Sequence, residues 1–252
     1  METQEQSQGT QEPAQKLTVP VAIVVAGIII ALAVIYTGGK GGSNAEVPDQ
    51  DDIAKQAGEA KQKLADNVKP VDPNEHILGN PNAQVKIVEF SDIECPFCKR
   101  FQTTMQQVMD EYGKDGRVAW VYRHFPLQIH PKATPEAEAT ECVWEQGGNA
   151  MFWKYLDALF VASLSNNQTD LAILASEADK IEGINMTKFN SCITNRTYKK
   201  KVEEDVQDGL NSGVSGTPYS IVIAANGKKF PINGALPIEN VRTIIELALK
   251  EK

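Results

Sequence analysis

The longest apolar run in the chain is Leu17 to Tyr36 (LTVPVAIVVAGIIIALAVIY), and no charged residue lies between Lys16 and Lys40. A helix needs about 20 such residues to cross the hydrocarbon core of a bilayer. The run therefore predicts a single transmembrane anchor over 17–37. A cleaved signal peptide is the competing reading, but its apolar region is usually only about 7–15 residues. A buried core helix is a third. Residues 1–16, rich in Gln and Glu, read as a disordered tail. The Gly-rich stretch Gly38–Gly42 opens a flexible linker that runs to residue 75. Inside that linker Ile53, Ala57, Ala60, Leu64 and Val68 recur every three or four positions, a weak amphipathic helix read as a spacer.

The globular domain is expected over 76–252. Val85–Phe90 is apolar and β-branched, hence a buried strand. A helix follows from Pro96 to about Tyr112, with proline favourably placed in its first turn. Arg117–Phe125 reads as a second strand. About 132–211 is helical throughout, in segments Glu136–Gln146, Met151–Leu164, Leu171–Ile181, Met186–Asn195 and Tyr198–Leu210. Ser220–Ala224 and Lys229–Ile232 form a hairpin around Asn226-Gly227, and a final helix spans Pro237–Leu249. This order predicts an α/β sheet with a helical subdomain inserted in its middle.

The chain has 252 residues, 23% of them charged, with a net charge of −8, which lacks the basic footprint of a nucleic-acid binder. Its four cysteines are more informative. Cys95 and Cys98 stand between a strand end and a helix start, where unpaired amides and the positive helix end favour an anion. A thiolate there has a lowered pKa and attacks disulfides. Cys98, one turn on, is placed to resolve a mixed disulfide at Cys95. Half of a zinc site is a competing reading, but Cys142 and Cys192 are far apart in sequence and have no nearby partner ligand. With Cys95 and Cys98 joined, the pair that remains is Cys142–Cys192, a structural disulfide that would contribute about 3–4 kcal/mol. Two buried free thiols are the alternative. The spacing of His76, His124 and His130 suggests no metal site, although His130 stands in a loop that can approach the active face. Trp120, Trp144 and Trp153 are expected in the core.

FSDIECPFCKRF (Phe90–Phe101), followed much later by GVSGTPYSIV (Gly213–Val222), resembles the thioredoxin-fold oxidoreductases of the DsbA type. His124–Ala133 and Ile232–Gly234 are similar to that family too. The resemblance implies a thioredoxin-like fold with an inserted helical subdomain, preceded here by the transmembrane helix. It makes Cys95 the exposed attacking sulfur and Cys98 the buried resolving one. Thr217-Pro218 matches a loop whose cis-proline faces the cysteines and whose backbone pairs with substrate. Glu89 matches a buried acid able to take and return the resolving thiol's proton. Phe97 and Tyr219 are expected as exposed apolar contacts for unfolded chains, and Glu94 as a solvated residue. Phe97 occupies the position where the strongest oxidants of the family carry histidine, which leaves the working direction open.

The resulting expectation is a membrane-anchored enzyme, its catalytic domain outside the cytoplasm, that forms or exchanges disulfides in exported polypeptides. A DsbB- or VKOR-like membrane partner would reoxidise it, and no metal or organic cofactor is implied. A reductase or isomerase running the same chemistry in reverse, or a non-catalytic polypeptide-binding module, are the alternatives.

Overall fold

The strands Val85–Ser91 (β2), Val118–His124 (β3) and Tyr219–Ile223 (β4) form the centre of the sheet and are covered on both faces. Burial on both sides explains why they read as near-continuous apolar runs rather than alternating ones. The structure, a computed structural model, describes residues 50–252. The expected tail over 1–16 and anchor over 17–37 lie outside the described residues. Among those described, no helix is long and apolar enough to cross a membrane.

β2 and β3 run parallel, a pairing that needs a crossover. That crossover is the helix α2 (Pro96–Val108), closed by a wider helical turn at Met109–Gly113. Two antiparallel edges complete the five-stranded order β1-β3-β2-β4-β5: His76–Gly79 (β1) beside β3, and Lys229–Asn233 (β5) beside β4. β1 is only four residues long, too short for an alternation pattern to reveal it.

One face of the sheet presents Val85, Ile87, Trp120, Tyr122 and Val222 to α2 and the last helix, Ile238–Lys250. The other presents Val88, Phe90, Val121 and Ile221 to residues that include Ala65, Val68 and Val206. Ala65 ends the first described helix, α1 (Gln50–Ala65). Gln62 Nε2 donates to the Lys229 carbonyl at 2.8 Å, and Lys229 Nζ to the Asp66 carbonyl at 3.1 Å. The spacer expected over 38–75 thus contains, from Gln50 on, a helix that belongs to the compact unit 50–252. Buried Arg123 secures the turn that follows it, bonding Glu75 at 2.7 Å and Asp208 at 2.6 Å.

The inserted subdomain comprises α3 (Ala133–Ala162), α4 (Ala172–Ala178) and α5 (Met186–Asn195); α6 (Lys199–Asn211) returns to the sheet. α3 is broken at Gly148, whose φ of 60° and ψ of −154° suit glycine alone. The expected separation at Gly147-Gly148 is therefore a kink within one element. Gly209 has a different use: a Cβ there would lie 2.6 Å from the Phe125 ring, so only glycine lets α6 approach so closely. Asn185 caps α5, accepting from the Lys188 amide.

Cys142 on α3 is bonded to Cys192 on α5, 50 residues away. Closing a loop of that length restricts the unfolded chain by about 4 kcal/mol in the chain-entropy model. Replacing both cysteines by alanine is expected to lower unfolding stability by about that amount, measured by urea denaturation. Strand order and Cys95 reactivity should be unaffected.

Candidate active site

Cys95 is the capping residue of α2, with extended backbone (φ −80°, ψ 120°), and Pro96 opens the first turn. The Cys95 thiol lies 3.5 Å from the Thr217 carbonyl. The Cys98 thiol and the amides of Phe97 and Cys98 surround the same sulfur. The hydrogen bond from Cys98 is the largest influence on it. Burial opposes the charge, but the further hydrogen bonds outweigh it, and the Cys95 thiol is lowered to about 6. Cys98 goes the other way. It is sealed from solvent, and burial, then Cys95, then the charge of Glu89 push its thiol well above the usual range. Cys95 is less exposed than expected, at 3% of its surface. The loop carrying Thr217 covers it.

Glu89 stands on β2 between Tyr122 of β3 and Ser220 of β4, on the face beneath Cys98. It is fully buried, and neither carboxyl oxygen has a hydrogen bond of ordinary geometry. Burial raises its pKa to about 7, although Ser91 and Trp120 lie near enough to favour the charged form. A buried acid that titrates near neutrality beside a high-pKa thiol can exchange a proton with it at little cost.

The Thr217-Pro218 bond is cis, and Pro218 leads directly into β4. Phe97 is 55% exposed beside Cys95. Two expectations are corrected here. Tyr219 is buried, because its position at the start of β4 pairs it with Phe90 and Asn233 and turns it into the core. Glu94 is fully buried rather than solvated, because its carboxylate accepts from the Asn167 amide of the subdomain.

Asp92 organises the cysteine loop, and sequence reasoning passed over it. Its backbone carbonyl accepts from Cys95 at 3.1 Å, and its carboxylate from the Glu94 amide at 2.8 Å, the Leu127 amide at 2.9 Å and His130 Nδ1 at 2.8 Å. Its own amide faces the Cys98 sulfur at 3.5 Å. An aspartate three residues before a helix-capping cysteine is the signal that would have found it. His130 is thus buried and held against this loop, a structural role beside the active face.

His76, His124 and Glu141 converge far from each other in sequence, with ligand-type atoms within 4.8 Å. Strand pairing brings His76 next to β3, which sequence spacing could not show. Glu141 Oε1 lies 2.7 Å from His76 Nε2, 3.2 Å from His124 Nε2 and 3.8 Å from Lys201 Nζ. A cation would have to displace the ammonium of Lys201, so these residues read as a buried charge network joining β1, β3, α3 and α6.

Residues 71–247 match the family model described as thioredoxin. Among solved structures, the chain is similar to DsbA2 of Pseudomonas aeruginosa, with 25% identity, a TM-score of 0.63, and 73% of this chain and 98% of that one covered. BdbD of Bacillus subtilis shares the fold, with 23% identity, a TM-score of 0.64, and 72% and 96% covered. A curated relative, the Na(+)/H(+) antiporter NhaA 3 of Salinispora tropica, is 32% identical over 172 residues, 68% of this chain. The chain spans about a quarter of the length of such relatives, 24% in this case. The chain belongs to the thioredoxin family, and its described domain has a DsbA-like fold.

Glu89 provides a signed test. Its pKa is raised from 4.5 to about 7 on folding. Its contribution to stability is therefore fully present below 4.5 and lost as pH rises through 7. Glu89→Gln removes that loss. It is expected to match the native chain near pH 4 and to exceed it at pH 8 by of the order of 3 kcal/mol in urea unfolding.

Proposed function

We propose that the chain is a membrane-tethered oxidant that forms disulfides in exported polypeptides, with Cys95 as the attacked and attacking sulfur. The observation that carries this reading is the opposed tuning of the two thiols, Cys95 low and Cys98 high. A stabilised Cys95 thiolate favours the reduced enzyme and so makes its disulfide a stronger oxidant.

In this reading a substrate thiolate attacks Cys95 of the Cys95–Cys98 disulfide. The S–S bond breaks, a mixed disulfide forms at Cys95, and Cys98 departs and takes up a proton, for which Glu89 is the nearby buried acid. A second substrate thiolate then attacks the substrate sulfur of the mixed disulfide, and Cys95 leaves as its stabilised thiolate. The substrate has lost two electrons and the enzyme has gained them. A DsbB- or VKOR-like membrane partner would remove them again.

Polypeptide substrates suit the surroundings. Phe97, Ile129, Val161 and Leu164 are all more than half exposed. They sit on segments tied to the cysteine helix and loop through Lys99, Asn167 and Glu94. Exposed apolar side chains near a reactive sulfur are suited to meeting unfolded chains. The backbone at Thr217-Pro218, leading into β4, is suited to adding a substrate strand. The apolar run over 17–37 supports the tether, with the domain outside the cytoplasm. Phe97 favours the second reading, a reductase or isomerase, since it offers the thiolate neither charge nor hydrogen bond.

The reduction potential of the Cys95–Cys98 pair separates the two. An oxidant requires a value nearer to about −120 mV than to about −270 mV. A value at the lower end would instead establish reduction as the working direction. Cys95→Ser is expected to abolish disulfide formation in a reduced test polypeptide; retained activity would remove Cys95 from the mechanism.

A further inference from the structure

The cysteine loop meets the helical subdomain through two acids that thiol exchange does not itself require. Glu94 immediately precedes Cys95, and Glu136 lies in the first turn of α3; both are fully buried. Their carboxyls are within hydrogen-bonding reach of each other. Neither oxygen of Glu136, nor Oε1 of Glu94, receives an N–H or hydroxyl from any other described residue. Lys132 is near enough to attract a charge on Glu136, but its Nζ donates to the Thr169 carbonyl. Two touching, buried carboxylates without a cation between them cannot both be ionised. One proton held between them forms a strong O–H···O⁻ bond and satisfies the orphaned oxygens.

Glu94 is also held by the turn at 165–167. The Asn166 amide donates to the Glu94 carbonyl and the Asn167 amide to Glu94 Oε2. Ser165, Asn166 and Asn167 have φ of 60°, 51° and 64°, three successive left-handed residues that are not glycine. Such strain persists where surrounding contacts hold it, commonly at functional sites. Successive amides in turn conformations form a concavity for an anion. Asn167 Nδ2 also donates to the Ile129 carbonyl, next to His130 and its bond to Asp92.

We propose that Glu94 and Glu136 are positioning residues for exchange at Cys95: they share one proton, fasten the cysteine loop to the subdomain, and keep a single negative charge there instead of two. This rests on Cys95 being the reactive sulfur. The groups facing the pair are Asp92 on the cysteine loop, Lys132 ahead of α3 and Tyr155 on the far half of α3; Cys95 follows Glu94 directly in the chain. Burial first, then Glu94, then the charge of Asp92 raise Glu136 from 4.5 to about 9. The proton is bound more tightly in the folded chain than in the unfolded one. Its contribution to stability is fully present below 4.5 and lost as pH climbs through 9.

The test compares Glu136→Gln and Glu136→Ala with the native full-length chain. Glutamine is a permanently neutral donor. It should leave the exchange equilibrium with glutathione within about twofold, and its urea-unfolding advantage over the native chain should widen between about pH 5 and 9. Alanine leaves Glu94 without its donor and a more concentrated charge beside Cys95. It should make the pair less oxidising by about threefold or more in that equilibrium. A glutamine advantage constant across the pH range, or an alanine variant with the native equilibrium, overturns the proposal. If alanine prevents folding, the glutamine pH profile decides. A native chain that fails to exchange with glutathione indicts the reading of Cys95 instead, and the pH profile still tests the pair.

Discussion

The seat of one sulfur organises this molecule. Cys95 stands immediately before α2, at the positive end of the helix, where the Cys98 thiol and the nearby amides of Cys98 and Phe97 favour its charged form. Those contacts stabilise a negative charge on Cys95 and none on Cys98, three residues later and sealed in the core. Position at the helix end, the hydrogen bond between the two sulfurs and the deeper burial of Cys98 together make the pair chemically asymmetric.

Holding that seat requires the loop before the helix to be rigid, and acids buried at fixed points provide the rigidity. Asp92 gathers the amides of Glu94 and Leu127 and the ring of His130. Glu94 reaches across to the subdomain, and Glu89 lies beneath the sheet end of the site. Buried carboxyls are costly unless they are hydrogen-bonded, paired or protonated, and each of these meets the condition differently. The charge of Glu89 in turn adds to the burial that raises the Cys98 thiol.

Local features were legible in the sequence. The β-branched run before the cysteines, Pro96 in the first helical turn, and Asn226-Gly227 between two short strands all encode their structure within a few residues. The insertion of helices was legible from their order. What escaped depends on contacts distant in sequence. β1 exists because β3 is there to pair with it. Glu94 is buried only because the 163–167 loop folds over it. Tyr219 turns inward through its place in the sheet, and His76 meets His124 and Glu141 only once β1, β3 and α3 are assembled. The end of α1 packs on β5, contacts that a weak amphipathic pattern does not disclose.

The pH dependence of alkylation of the reduced full-length chain by iodoacetamide, followed at each cysteine by mass spectrometry, tests the central claim most directly. The account requires Cys95 to be modified with a midpoint at about 6, while Cys98 stays unmodified through neutral pH. A Cys95 midpoint at the ordinary thiol value of about 8.5, or Cys98 reacting first, would contradict it.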